Sequence, residues 1–400
     1  MPPDPVCLGA VHIGFRELVD YNSNGSVAKD LPLSAPHAVR VIAEAGVNHN
    51  GSLDRALALV DAAAEAGADV VKFQTFRAAD VVRPGAPKAA YQARSTGAAE
   101  SQLGMLRELE LDVSAHRRLV ERCAERRIGF LSTPFDAASL ALLVEELHLD
   151  TLKLPSGELT NGPLLLAAAR SGCRILLSTG MAYLGEVEEA LRVLAFGYVG
   201  SGETPSRQAL EDASLSGPGR QAVAERVTLL HCTTEYPAAF DGVNLRAMDT
   251  LREAFGVAVG LSDHTCGIAV ALAAAARGAS VVEKHFTLDR RLPGPDHQAS
   301  LEPGELHAMV EGIRAVEQAL GDAIKRPVAG ELANRTVARK SLVAARAIRQ
   351  GERFSADNLT AKRPADGCSP MAYWDLLDRT ASRQYDADAT IDEPGARRQA

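Results

Sequence analysis

From residue 38 to residue 320, short apolar runs alternate with longer stretches in which apolar residues recur every three or four positions. Short runs rich in β-branched residues read as buried strands, and the three-to-four spacing reads as amphipathic helix. The strands fall at 38–45, 69–76, 128–135, 151–154, 173–177, 226–232, 257–261 and 280–282. The helices fall at 52–66, 114–126, 137–147, 162–171, 184–196, 244–255, in an alanine-rich stretch after residue 265, and at 303–320. Asp54 lies in the first turn of the first helix, where the helix dipole favours an acid. Residues 77–112 form a long connection, and 197–219, rich in Gly, Ser and Pro, reads as a loop. Eight strand–helix units in succession predict a parallel sheet, and their span predicts a closed (β/α)8 TIM barrel over 37–322. An open doubly wound sheet is the weaker alternative, because no G-x-G-x-x-G follows the first strand.

Outside that span the pattern changes. Residues 1–36 have little periodicity and read as an extension, with a short strand or helical turn at 11–19. Residues 323–335 read as a linker, 336–391 as a small β-rich domain with strands at 337–344 and 359–363, and 392–400 as a frayed tail. So small a domain has a marginal core of its own and is expected to dock on something.

Composition narrows the class. The formal net charge is -8, with no long basic run, which argues against nucleic acid as partner. No apolar run approaches the ~20 residues of a membrane span. Six cysteines without C-x-x-C spacing, and no basic-then-apolar leader, suit a reduced cytoplasmic protein.

Polar residues gather where the strands end: Glu44, Lys72, Gln74, Thr133, Lys153, Ser156, Glu158, Ser178, Thr234, Tyr236, Ser262, His264, Lys284 and His285. A barrel would bring these to one face, the face where such folds carry their chemistry. Lysines with hydroxyls suit a phosphate and carboxylate ligand. Glu44 or Glu158 suits proton transfer. His264 and His285, at the ends of neighbouring strands, can share a divalent cation and leave room for substrate oxygens. Singly each has a plainer reading: a lysine as a solvated tip, or Ser156 and Ser178 as helix caps. The set is more specific than its members.

The same stretches carry a resemblance. Val-Ile-Ala-Glu-Ala-Gly-Val-Asn-His-Asn-Gly (41–51), Val-Lys-Phe-Gln-Thr-Phe (71–76), Leu-Ser-Thr-Pro-Phe-Asp (131–136) and Lys-Leu-Pro-Ser-Gly-Glu (153–158) resemble the sialic acid synthase family. So do Leu-Ser-Thr-Gly-Met (177–181), Leu-His-Cys-Thr-Thr-Glu-Tyr-Pro (230–237), Gly-Leu-Ser-Asp-His-Thr (260–265), Glu-Lys-His-Phe-Thr-Leu (283–288) and Gly-Pro-Asp-His (294–297). Ala-Arg-Lys-Ser-Leu-Val-Ala (338–344) and Ala-Lys-Arg-Pro (361–364) are similar to that family's antifreeze-like (SAF) domain. The resemblance implies condensation of phosphoenolpyruvate with an N-acyl mannosamine-type sugar, with Mn2+ or Mg2+, to an N-acetylneuraminate or N,N'-diacetyllegionaminate product.

It further implies residue roles. His264 and His285 would hold the metal. Lys72, Thr133, Lys153, Ser156, Ser178, Thr234 and Ser262 would hold phosphoenolpyruvate. Gln74, Glu158, Tyr236 and Asp296 would contact the sugar, with Glu44 near the reacting centre. Arg363 would reach the sugar's acyl group in the partner subunit's site, within a homodimer whose tail domains cap each other's barrels. The tail departs from the family pattern in reading Arg-Pro-Ala-Asp-Gly at 363–367 where Arg-Pro-Gly-x-Gly is usual. Two other readings compete: a phosphoenolpyruvate-dependent aldol-type synthase acting on a sugar phosphate, and a non-catalytic sugar-binding barrel. The first lacks a second cluster of Arg and Lys for an acceptor phosphate. The second leaves Glu44, Lys72 and the two histidines without a use.

Overall fold

The structure is a computed structural model, and it describes residues 39–89, 92–93, 101–200 and 203–395. The expected extension at 1–36, with its element at 11–19, lies outside the described residues. The chain divides into two compact units, one ending at Gly321 and one beginning at Asp322.

The first unit is built on eight parallel strands: β1 (Arg40–Gly46), β2 (Val70–Thr75), β3 (Gly129–Pro134), β4 (Thr151–Leu154), β5 (Arg174–Ser178), β6 (Val227–Cys232), β7 (Ala258–Asp263) and β8 (Val281–His285). They run in the order β3-β2-β1-β8-β7-β6-β5-β4, and β3 lies against β4, which closes the sheet into a barrel. The predicted fold is therefore the one found.

Strand side chains alternate between faces, so one parity of each strand fills the cylinder and the other meets the helices. Ile42, Val70, Leu131, Leu176, Leu230 and Val281 form a separate buried cluster inside the barrel. Gly260 has the same parity and carries no side chain. A Cβ there would stand 2.4 Å from the Val281 carbonyl oxygen and 2.8 Å from Leu230 Cδ2. Farther along each strand the same parity turns polar, with Glu44, Lys72, Thr133, Lys153, Ser178, Cys232, Ser262 and Glu283. The apolar residues form a plug and the polar ones a floor above it.

The outward parity packs under helices. The helix Leu53–Glu65 turns Ala56, Leu59, Val60 and Ala63 inward, and Ser52 caps it by accepting from the Arg55 amide. The helix Ala269–Ala276 is nearly all alanine, so periodicity says little about it. Its small side chains let it lie close on the sheet, burying Val270, Ala271, Ala274 and Ala275.

Three stretches read as irregular contain helices. Residues 77–112 include Ala78–Val81 and Gln102–Arg107. Residues 197–219 run into Arg207–Leu215 and Gly217–Arg226. There the loop-like composition is capping chemistry: Ser206 accepts from the Ala209 amide, Ser216 accepts from the Gly219 amide, and Pro218 sits in a first turn. The expected linker likewise runs into a helix, Ala329–Ala338, with Val328, Leu332 and Val337 exposed; it takes the first two residues of the strand expected at 337–344, which begins at Ser341 instead.

The second unit pairs β9 (Ser341–Ala344) antiparallel with β10 (Leu359–Lys362). Its core includes Leu342, Ile348, Phe354, Leu376, Tyr385 and Ile391. Residues 392–395, expected to fray, are tied down. Buried Glu393 accepts from Tyr385 Oη at 2.8 Å, and Asp392 pairs with Arg383 at 2.7 Å. Among the described residues, no helix is long and apolar enough to cross a membrane.

Candidate active site

The polar floor opens into a cavity of about 250 Å3 at the C-terminal ends of the strands. Every predicted site residue of the barrel except Glu158 and Lys284 lines it.

Its charges are buried and interleaved. Lys72 Nζ lies 2.7 Å from Glu44 Oε2 and 3.8 Å from Glu283 Oε2, and donates to Thr133 Oγ1 at 3.1 Å. Lys153 Nζ lies 3.3 Å from Glu283 Oε1, which also accepts from Ser262 Oγ at 2.8 Å. Burial would raise the Glu283 carboxyl, but Lys153, Lys72 and the Ser262 hydroxyl hold it down to about 2. Burial pushes Glu44 up to about 7, against the pull of Lys72, and the neighbouring charge of Glu283 adds to the rise. Burial also raises Asp296 to about 6. Gln74 Nε2 donates to Glu44 Oε1 at 3.3 Å.

Hydroxyls form the second group. Ser178 Oγ and Thr234 Oγ1 are buried without a hydrogen-bond partner among the described residues. Ser156 Oγ accepts from the Gly180 amide at 3.0 Å and lies 3.0 Å from Cys232 Sγ. Gly180 is small by necessity. A Cβ on it would stand 2.4 Å from Thr234 Oγ1 and 2.8 Å from both Cys232 Sγ and Ser156 Oγ.

The third group is aromatic. The His264 and His285 ring centroids are 5.4 Å apart, and Tyr236 lies over both at 4.2 and 5.6 Å. His264 Nδ1 donates to the Thr233 carbonyl at 2.6 Å, which leaves Nε2 as the lone-pair nitrogen. His285 Nδ1 is buried without a hydrogen-bond partner among the described residues and lies 3.9 Å from Asp296 Oδ2. Burial lowers His264 to about 4 and His285 well below the ordinary histidine range. Neutral imidazoles with free lone pairs are the form a metal binds, so the pair fits a divalent cation. Among the described residues no group of three His, Cys, Asp or Glu is gathered for one.

Two expected barrel residues lie outside the lining. Lys284 was expected on the cavity rim, but between inward Glu283 and inward His285 it must point outward. Its Nζ is fully buried, 2.7 Å from Asp263 Oδ2, and donates to the Thr265 carbonyl at 2.5 Å. Asp263 Oδ1 in turn accepts from the Thr265 amide and hydroxyl. This clamp fixes the turn that carries His264. Glu158 sits in the turn Ser156–Glu158, outside the cavity lining, and accepts from Asn161 Nδ2 at 2.6 Å. Arg363 belongs to the second unit, is exposed after β10, and donates through Nε to the Ala338 carbonyl at 2.8 Å.

Two features were not read as site residues from the sequence. Glu283 shares the inward parity of His285, and that alternation was the available signal. The apolar side of the cavity, from Val47, Phe76, Phe135, Met105 and Leu109, had none, because Met105 and Leu109 come from the connection read as irregular.

A closed barrel with a charged, hydroxyl-rich mouth at the C-terminal ends of its strands has the architecture of an enzyme for a small anionic substrate. The NeuB family profile matches residues 59–325 and the SAF domain profile matches residues 339–392. The chain belongs to the NeuB family. It is 50% identical over 353 residues to an N,N'-diacetyllegionaminic acid synthase of Campylobacter jejuni, covering 88% of this chain and 98% of that protein. It is 39% identical to the N,N'-diacetyllegionaminic acid synthase of Legionella pneumophila, covering 92% and 98%. A crystal structure of the N-acetylneuraminic acid synthetase from Leptospira borgpetersenii, in complex with citrate, is similar in fold. Its TM-score is 0.59 at 32% identity, covering 74% of this chain and 90% of that one.

Proposed function

We propose that this enzyme condenses phosphoenolpyruvate with a 2,4-diacetamido-2,4,6-trideoxymannose, giving N,N'-diacetyllegionaminate and inorganic phosphate. The observation that carries the reaction is the cavity floor: two buried lysines face several hydroxyls across a space one small anion can fill. The acceptor is supported by the 50% identity to a legionaminic acid synthase over nearly that protein's whole length.

In this reading Lys72 and Lys153 offset the charge of phosphoenolpyruvate, and Thr133, Ser156, Ser178, Thr234 and Ser262 orient it. The enol carbon attacks the aldehyde of the open-chain sugar, and a C–C bond forms. Water then adds to the cationic carbon left behind, and the C–O bond to phosphate breaks. Glu44 is the group for the proton of that water, since a carboxyl raised to about 7 takes one up near neutrality. Gln74, Tyr236 and Asp296 hold the sugar. His264 and His285 would hold a divalent cation, Mn2+ or Mg2+, which when bound polarises the aldehyde oxygen. Arg363 is assigned to the acceptor's acyl group, reached from a second copy of the chain in a homodimer. The compartment of this biosynthetic step is the cytoplasm.

The test is phosphate release from phosphoenolpyruvate with Mn2+ and either the diacetamido sugar or N-acetylmannosamine, with mass spectrometry of the product. Turnover is expected with both and faster with the diacetamido sugar. Folded protein that releases no phosphate with either acceptor refutes the proposal.

A further inference from the structure

The cavity has a second wall that the reacting groups do not use. Val47, Phe76, Met105 and Leu109 form one buried cluster, joined by Val81, Leu106 and Phe135, and all of them line the same cavity as Lys72. Val47, Phe76 and Phe135 follow the ends of β1, β2 and β3, so the wall rises directly from the charged floor. His285 lies on β8, the strand beside β1, and His264 follows β7, one strand farther round. Phe76 and Phe135 meet edge to face at 6.0 Å, which fixes both rings. Among the described residues, the cations of the whole cavity lining are Lys72 and Lys153, and both belong to the floor.

We infer that this wall is a subsite for the far end of the acceptor, and that it selects an unphosphorylated sugar ending in methyl groups. The inference rests on the reading of the barrel as a synthase. With the aldehyde held at the floor, the opposite end of an open-chain sugar lies several bonds away, against Val47, Phe76, Met105 and Leu109. A 6-deoxy carbon or an acetamido methyl buries apolar surface there. Gln92 and Gln102 also line the cavity, but a hydroxymethyl group set against those four apolar side chains loses water and gains no hydrogen bond from them. A phosphate meets no third cation. One methylene in an apolar pocket separates substrates by about 10- to 200-fold, which is the scale of preference such a wall supplies.

The test is Met105→Gln, which keeps the length of an unbranched side chain and replaces its apolar end with an amide. Wild type and variant are assayed with the diacetamido-trideoxy sugar and with N-acetylmannosamine at saturating phosphoenolpyruvate. The variant is expected to lose about tenfold in kcat/KM for the first sugar and less than threefold for the second. Its KM for phosphoenolpyruvate is expected to change less than twofold. Equal losses for both sugars, or no loss for either, in a variant with unchanged Tm overturn the inference. If Met105→Gln does not fold, Val47→Thr, an isosteric change on the same wall, is read by the same criteria. Methionine-methyl NMR keeps the subsite separable from the reaction. The Met105 resonance is expected to shift with the diacetamido sugar and not with a hexose 6-phosphate, whether or not phosphate is released. The reverse pattern overturns it.

Discussion

Lys72 is the residue on which the interior charges converge. It lies between Glu44 and Glu283 with almost no access to water, and its pKa is held above the ordinary lysine value by the two carboxylates against the cost of burial. Lys72→Met leaves those carboxylates with Lys153 alone. Removing one partner of a buried pair typically costs about 3–5 kcal/mol, because the remaining charge is uncompensated. The cost should depend on pH with a definite sign. At acid pH Glu44 takes a proton and the repulsion falls, so the variant should be less destabilised at pH 5.5 than at pH 8 in urea titrations. Equal costs at both values would refute this picture of the floor. Gly180 gives a second prediction. Gly180→Ala forces a methyl group among Ser156, Cys232 and Thr234, so KM for phosphoenolpyruvate should rise at least tenfold with a smaller change in kcat. At this scale the sequence was readable wherever a polar residue ended an apolar run. It was ambiguous where several polar residues stood side by side. Glu283, Lys284 and His285 look equivalent as letters, and only the two-residue period of the strand says which of them face inward.

The strand ends and their turns decide how well the site is held. The outward face of β8 supplies Lys284, whose ammonium group ties Asp263 and the Thr265 carbonyl together behind His264. Burial lowers the Lys284 pKa and Asp263 opposes that shift. Lys284→Met should cost about 3–5 kcal/mol and should slow turnover by releasing the His264 turn. The double variant Lys284→Met with Asp263→Asn should recover part of the stability, since no buried charge is left alone. A double variant as unstable as the sum of the singles would remove the clamp from the account. Helices were legible where one face is apolar over several turns, as at Leu53–Glu65. They were missed where they are short or begin in Ser, Gly and Pro, as at Gln102–Arg107 and Gly217–Arg226. Those residues serve loops and helix starts alike, and the choice between them depends on what the helix packs against.

For the molecule as a whole, buried imidazoles set a limit on acid stability. His49 and His297 are fully buried and lowered by burial to about 4, and buried His116 is lowered too. Their unfolded pKa is about 6.5, so between about 4 and 6.5 the unfolded chain binds more protons and acid favours unfolding. Glu44 and Asp296, raised to about 7 and 6, act with the opposite sign over part of the same range. His49→Gln should therefore lose less urea midpoint than wild type when the pH is lowered from 6.5 to 4.5. An unchanged slope would refute the assignment. Barrel, domain order and cavity mouth were readable from the chain because eight strand–helix units leave few closed arrangements. Which connection completes the cavity was not, because residues 77–112 meet Phe76 and Phe135 only after folding.

The interleaved lysines and carboxylates mean that, with no substrate present, the barrel carries its own counter-ions. On the proposed reading phosphoenolpyruvate would enter by ion exchange: its oxygens would take over lysine contacts that Glu44 and Glu283 hold, and a displaced carboxylate would be stabilised by taking up a proton. Affinity for that substrate should then weaken as alkali makes protons scarce, even while the lysines stay fully charged.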